Sequence, residues 1–324
     1  MPKRMNSRVY PMLPVLFFVV AIGLVLWLGW PTAESPIKQD RIFVVTTIYP
    51  LADFTQNVGG ELVYVSNVIP AGAEPHDYEP SPREVAQVIE ADVLIYLGGG
   101  LDTWAEDLAE ETRGNGGQVL GIEDHVPFTK VEEGHQEESE HEEDEHDHEG
   151  TDPHIWLDPV EAQDIVAAIR DVLIEADPAH AAQYQSNADD YIQSLMELHD
   201  SYRTSLTACE LNDIIVSHDA FGYLARRYGF NTHAIAGLSP EAEPSVQDLA
   251  ELAEEARELG VKTIFFETLV SPKLAETLAQ EIGAMTAVLN PLEGLDEEEL
   301  QAGDTYLTVM EKNREALSSA MLCQ

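Results

Sequence analysis

Basic residues are scarce in this chain of 324 residues, where 17 lysines and arginines are outnumbered by 60 aspartates and glutamates. The resulting formal net charge of −43 repels the phosphates of nucleic acids and anionic lipids. Binding to either is therefore excluded as the main function, and cations are the favoured partners. Hydrophobic residues still make up 44% of the chain, and its length is sufficient for two domains with buried cores.

Cysteine is equally scarce, because the chain contains only Cys209 and Cys323. No cysteine lies directly after the apolar run near the N-terminus. A lipid-modified cysteine at that place is therefore excluded. In an exported protein an even number of cysteines favours a disulfide, and we expect one between Cys209 and Cys323. Two buried thiols are the alternative.

The N-terminal segment is typical of an export signal. Three basic residues within the first eight positions precede an apolar run from Val15 to Trp30. This run is long for the core of a signal peptide and short for a membrane-spanning helix. Residues 1–40 are therefore interpreted as a signal peptide cleaved near Ala33, or as an uncleaved anchor, followed by a linker. Either arrangement places the rest of the chain outside the cytoplasm, in a periplasm or at the outer face of the cytoplasmic membrane.

Strand and helix patterns alternate in two regions of the chain. Short β-rich runs separated by helical patterns predict a parallel sheet flanked by helices, first in residues 41–131 and again in residues 208–324. Residues 151–177 continue the first lobe with a helical pattern. Apolar residues spaced by three or four then predict a long, rigid helix over residues 178–207, which suits a connection between two α/β lobes.

Between these regions, residues 132–150 have a different composition. The 18 residues from Glu132 to Glu149 include 11 acidic residues and four histidines, and none of them is apolar. Such a segment cannot be buried, so we predict that it is disordered. Histidines among carboxylates favour weak metal binding that is lost as the pH falls, and an acidic solubility segment is the alternative. These histidines are His135, His141, His146 and His148.

Three possible metal ligands follow predicted strands. His76 lies in the loop after one strand, while His218 and Glu267 each directly follow another. Ligands of open parallel sheets bind at the carboxyl ends of the strands, so these residues occupy the expected place for a site. A fourth candidate, His154, lies in a loop stiffened by two nearby prolines. Three imidazoles and one carboxylate would satisfy a tetrahedral zinc ion.

Four motifs from Arg41 to the C-terminus resemble one known family. They read H-D-Y-E-P-S-P, D-P-H-I-W-L-D-P, S-H-D-A-F-G-Y-L and F-F-E-T-L-V-S-P-K-L-A-E-T-L-A. Together they are similar to the cluster A-I solute-binding proteins of metal ABC transporters, which bind zinc or manganese. The resemblance implies two α/β lobes joined by one long rigid helix, with the metal held in the cleft between them.

The resemblance also implies the ligands of the metal. His76 and His154 would come from the first lobe, and His218 and Glu267 from the second. Relatives with histidine at the third position resemble zinc receptors, whereas those with a carboxylate there more often resemble manganese receptors. His218 therefore favours Zn²⁺, with a manganese or iron receptor of the same fold as the alternative.

The expected function is the capture of zinc outside the cytoplasm and its delivery to an ABC transporter permease with a cytoplasmic ATPase. We expect a monomer. A metallohydrolase is a weaker alternative, because four protein ligands would fill the coordination shell and leave no position for a catalytic water. The sequence also contains neither H-E-x-x-H nor G-x-S-x-G, so we predict that the protein is not an enzyme. A surface adhesin is a further alternative.

Overall fold

A computed structural model of the protein describes residues 41–130, 150–240 and 244–324. The predicted signal or anchor and the four histidines of the acidic segment lie outside these residues. Within the described ranges, no helix has the length and apolar character needed to cross a membrane.

The first lobe is built on a four-stranded parallel sheet of order β2-β1-β3-β4. A two-stranded antiparallel pair, β5 with β6, lies at the two ends of the undescribed segment. The elements are β1 (Ile42–Thr46), α1 (Tyr49–Gly59), β2 (Val63–Asn67), α2 (Pro82–Ile89), β3 (Val93–Tyr96), α3 (Thr103–Gly114), β4 (Gln118–Gly121), β5 (Thr129–Lys130), β6 (Thr151–Asp152) and α4 (Glu161–Ala176).

The second lobe repeats this plan with a four-stranded parallel sheet of order β10-β9-β7-β8. It follows the long helix α5 (Ala181–Ser205). Its elements are β7 (Asp213–Val216), α6 (Gly222–Tyr228), β8 (Asn231–Ala234), α7 (Val246–Leu259), β9 (Thr263–Phe266), α8 (Lys273–Ile282), β10 (Met285–Val288), α9 (Glu297–Ala302) and α10 (Tyr306–Ala320).

Both sheets are covered on two faces, as the sequence predicts. Along β3, Val93 and Ile95 join the main hydrophobic core, whereas Leu94 and Tyr96 join a separate cluster on the opposite face. This alternation follows from the two-residue repeat of a strand. Because both of its faces are buried, β3 consists of apolar residues, which is typical of parallel sheets between helices. The edge strands β8 and β10 of the second lobe are more exposed.

The long helix α5 spans 25 residues, or about 37 Å at 1.5 Å per residue. One face of it is buried against α1 and α4 of the first lobe and against α10 of the second. The main core is continuous through both lobes, and Phe54, Trp156 and Tyr306 all belong to it. The predicted long helix is therefore confirmed, and it packs against helices of both lobes.

Cys209 and Cys323 form the predicted disulfide. It joins the start of the second lobe to the end of α10 and closes a loop with a sequence separation of 114 residues. A crosslink over so long a loop removes many conformations from the unfolded chain, so its stabilising effect is expected to be large.

Replacing both cysteines by alanine should lower the free energy of unfolding by about 2–5 kcal/mol, because the unfolded chain regains the entropy of the open loop. Urea denaturation followed by circular dichroism measures this change. The parent protein should lose the same stability on reduction, and the double variant should not respond to the reductant. Equal midpoints for parent and variant would contradict the expectation.

Candidate metal centre

Four side chains converge in the cleft between the lobes: His76, His154, His218 and Glu293. Each offers one ligand atom, and these atoms all lie within 4.8 Å of one another. Glu293 Oε1 is 3.2 Å from His76 Nε2, 2.9 Å from His154 Nε2 and 3.1 Å from His218 Nε2. One carboxylate oxygen is thus shared by three imidazoles.

The topology explains how distant residues meet. His76 lies in the loop between β2 and α2, His154 follows β6, and His218 lies two residues beyond β7. Glu293 lies in the loop that follows β10. Three of these four segments leave the carboxyl ends of parallel strands, where open α/β sheets place their ligands. The sequence-based expectation for the three histidines agrees with this arrangement.

The spacing of the ligand atoms fits a tetrahedral zinc ion. Zinc–nitrogen bonds of about 2.0–2.1 Å place two nitrogens of a tetrahedral site about 3.3–3.4 Å apart. The Nε2 atoms of His154 and His218 are 3.3 Å apart. A cation of this size would therefore enter with little movement of these two buried side chains.

Glu267, the fourth ligand expected from the sequence, lies on the other side of the His218 ring. Its Oε1 is 2.6 Å from His218 Nδ1 and also accepts a hydrogen bond from Ser217. The side-chain positions therefore favour Glu293 over Glu267 as the fourth member of the cluster. The reason is topological, because β9 pairs directly with β7. Glu267, which follows β9, therefore lies beside His218, which follows β7, and meets the Nδ1 edge of its ring.

Sequence reasoning missed Glu293 because no strand directly precedes it. It lies five residues beyond the end of β10, in the sequence N-P-L-E-G-L. Leu292 has a φ of 60°, a left-handed conformation that is unusual for leucine, and its N–H donates to Asn290 Oδ1 at 2.7 Å. This turn directs the following glutamate into the cleft. The available signal was a carboxylate between Pro291 and Gly294, after the last strand.

His154, like His218, is oriented by a carboxylate at its Nδ1 atom. Asp152 Oδ1 lies 2.9 Å from His154 Nδ1 and accepts a hydrogen bond from the backbone N–H of His154 at 3.0 Å. A carboxylate at Nδ1 favours the tautomer that carries its proton there, which leaves Nε2 free to bind a metal. Two of the three imidazoles are therefore held ready for coordination by a buried carboxylate.

The loop that carries Glu293 is fastened to the first lobe. Trp156 Nε1 donates to the carbonyl oxygen of Pro291 at 2.8 Å, and the N–H of Gly72 donates to the carbonyl oxygen of Leu295 at 3.0 Å. Trp156 is fully buried and lies two residues after His154. The same indole thus connects the histidine loop of one lobe with the glutamate loop of the other.

Glu293, His154 and His218 are buried together, so the ionisation of each depends strongly on the charges of the others. Burial opposes ionisation of Glu293, but the charge of His218 and the hydrogen bonds from the three histidines hold its pKa well below the usual range. Burial also opposes protonation of His218, yet Glu293 and Glu267 raise the pKa of His218 well above its ordinary value. The pKa of His154 is raised against the effect of burial by Asp152 and Glu293. Without a metal, the cluster therefore favours imidazolium groups around an ionised carboxylate.

Three buried glutamate oxygens of this region have no hydrogen-bond partner among the described residues. The Oε2 atoms of Glu293, Glu267 and Glu74 are buried and form no hydrogen bond within residues 41–130, 150–240 and 244–324. Burial, followed by the charge of Glu293, raises the pKa of Glu74 to about 8. Unpaired buried carboxylate oxygens are costly, and a bound cation would reduce that cost.

The chain is similar to known zinc-uptake proteins. The family model described as "ZnuA: Zinc-uptake complex component A periplasmic" matches residues 44–320. The high-affinity zinc uptake system protein ZnuA of Bacillus subtilis is 42% identical over 286 residues, which cover 88% of this chain and 89% of that protein. A zinc-binding protein AdcA of Streptococcus pyogenes is 38% identical over 293 residues, but the chain spans only 57% of its length.

A solved structure is also similar. The Zn(II)-bound ZnuA-like domain of Streptococcus pneumoniae AdcA superposes with a TM-score of 0.74 at 37% identity, covering 87% of this chain and 99% of that domain. The family model matches well over half of the chain. The chain therefore belongs to the family of periplasmic zinc-uptake component A proteins.

Proposed function

We propose that this protein captures one zinc ion outside the cytoplasm, in the cleft formed by His76, His154, His218 and Glu293, and delivers it to an ABC permease. The observation that supports this function best is the convergence of the four ligand atoms within 4.8 Å. The zinc-related descriptions of the relatives in Bacillus subtilis and Streptococcus pneumoniae support the same assignment.

The ligand types support zinc over manganese. Imidazole suits zinc, copper and nickel, whereas manganese prefers carboxylate, carbonyl and water oxygens. The cluster supplies three imidazole nitrogens and one carboxylate residue. The observed 3.3 Å separation between His154 Nε2 and His218 Nε2 also matches an edge of a small tetrahedral site. A manganese or iron receptor is therefore the less favoured alternative.

The four protein ligands of the proposed zinc site argue against catalysis. A catalytic zinc ion keeps one coordination position for water or substrate, whereas four protein ligands close the shell. The three residues His154, His218 and Glu293 are almost completely buried, which leaves little access for an organic substrate. We therefore infer a receptor rather than a metallohydrolase. The adhesin alternative does not account for a buried His3Glu cluster.

Delivery would require a membrane permease and a cytoplasmic ATPase. The net charge of −43 suits a protein whose cargo is a cation. His135, His141, His146 and His148 remain candidates for a second, weak zinc site that gathers ions near the cleft. An extracytoplasmic monomer, exported by its N-terminal segment or held by it, is the form in which we expect the receptor to act.

Zinc should bind at one tight site and displace manganese, because the cluster offers mostly nitrogen ligands. Calorimetry of the metal-free protein, with a competing chelator for the tight range, measures both affinities. A protein lacking residues 132–149 serves as the control that isolates the cleft from the acidic segment. Tighter binding of manganese than of zinc would refute the zinc assignment.

Zinc binding should release protons at neutral pH. The pKa values of His154 and His218 are raised in the metal-free protein, so these imidazoles hold protons that the incoming ion must displace. The apparent affinity should therefore decrease as the pH falls and increase as it rises through the raised pKa values. Calorimetry in buffers of different ionisation enthalpy gives the number of protons released. A release of zero at pH 7 would contradict this account.

Glu293→Gln and Glu267→Gln should have different effects on the metal shell. Glu293→Gln should remove a carboxylate ligand, while Glu267→Gln should keep the shell intact and weaken zinc binding about 10- to 100-fold through the loss of support for His218. Crystal structures of the zinc-bound variants report the ligands, and chelator competition reports the affinities. Glu161→Gln, which alters a carboxylate outside the cluster that is paired with Arg227, is the matched control. A zinc-bound parent structure with Glu267 rather than Glu293 on the ion would restore Glu267 as the ligand.

A further inference from the structure

The three histidines of the cleft differ in how deeply they are buried and in how their rings are hydrogen-bonded. The side chains of His154 and His218 are fully buried, whereas 11% of the His76 side chain is exposed. His154 and His218 each have a carboxylate at Nδ1. Among the described residues, no hydrogen bond is formed by His76 Nδ1, and the only hydrogen-bond contact of its ring is from Nε2 to Glu293. Its ring also lies against the rings of His154 and His218. His76 is therefore the least constrained of the three.

What holds His76 in place is a contact to its backbone. Glu74 Oε1 accepts a hydrogen bond from the N–H of His76 at 3.2 Å. The other oxygen of Glu74 is buried and has no partner within the described residues. Glu74 is thus placed inside the cleft, and its carboxylate spans the turn Glu74–Pro75–His76. This bond fixes the direction in which the imidazole of His76 leaves the chain.

The segment around Glu74 has few other attachments. Residues 68–81 lie between β2 and α2 and contain neither helix nor strand. Their one backbone hydrogen bond to the second lobe runs from the N–H of Gly72 to the carbonyl oxygen of Leu295. A cavity of about 240 Å³ lies beside this bond, lined by Tyr49, Ile69, Pro70 and Leu295 among others. Val68 and Ile69 belong to the hydrophobic core, so the space for movement lies in the part of the segment beyond Ile69 that borders this cavity.

We propose that Glu74 is a positioning residue that keeps His76 on the bound ion and thereby sets the rate at which zinc is released. This inference rests on the proposed zinc function. When the bond from the His76 N–H to Glu74 breaks, the segment moves and His76 leaves the ion first. Zinc then remains on His154, His218 and Glu293, with one coordination position open for a ligand from the receiving protein.

Two substitutions at position 74 separate the hydrogen bond that positions His76 from other effects of the carboxyl group. Glu74→Ala removes the acceptor, so zinc should dissociate about tenfold faster or more, in the range found when outer partners of metal ligands are lost. Glu74→Gln keeps an amide oxygen that can accept the same hydrogen bond, and its dissociation rate should stay within about threefold of the parent. The association rate should change little in either variant.

The measurement is stopped-flow release of zinc from the full-length protein into an excess of a fluorescent chelator. Glu79→Ala, which removes an exposed carboxylate from the same segment, is the matched control and should release zinc at the parent rate. Thermal unfolding of the metal-free variants checks that each of them folds.

The possible outcomes are distinct. Equal acceleration in Glu74→Ala and Glu74→Gln would show that the hydrogen bond from the His76 N–H is not what Glu74 contributes, and an unchanged rate in Glu74→Ala would show that it has no role in release. Either result overturns the inference while zinc binding itself stands. If the parent protein takes up no zinc, the proposed function fails instead.

Discussion

A single buried carboxylate oxygen, Glu293 Oε1, lies within hydrogen-bonding distance of three imidazoles, and the candidate metal centre depends on that contact. Charged and polar groups can be buried only when they are paired, because the interior does not solvate them as water does. In the metal-free protein, the raised pKa values of His154 and His218 favour their protonated forms beside Glu293. A zinc ion at the proposed site would take over that pairing.

This centre can stay buried because the lobes are joined by contacts outside it. Trp156 Nε1 donates to the carbonyl oxygen of Pro291, and the Tyr306 hydroxyl donates to the carbonyl oxygen of Trp156 at 2.6 Å. Asp53 accepts a hydrogen bond from the Tyr191 hydroxyl at 2.7 Å, which connects α1 to the long helix α5. With a continuous core and these fastenings, a wide opening of the two lobes would disrupt many buried contacts. This cost favours the proposed release of the ion through movement of the segment around His76 alone.

The sequence was sufficient for the parts of the fold that depend on local patterns. The alternation of apolar runs predicted two parallel sheets, and the spacing of apolar residues predicted the long helix. His76, His154 and His218 could be found because they follow strands or lie in a loop stiffened by prolines. Glu293 could not, since its position depends on a turn at Leu292 and on the anchoring of that turn by Trp156 from the other lobe. Such a long-range contact leaves no periodic signal in the sequence.

The choice between Glu267 and Glu293 shows how a ligand and its support differ physically. Both are buried glutamates within hydrogen-bonding distance of His218, but Glu267 meets Nδ1 and Glu293 meets Nε2. A carboxylate at Nδ1 makes the imidazole a better ligand without touching the ion. His154 has the same support from Asp152, and His76 has none among the described residues. Under the release mechanism that we propose, this asymmetry assigns retention of the ion to the buried side chains of His154 and His218, and its release to the partly exposed His76.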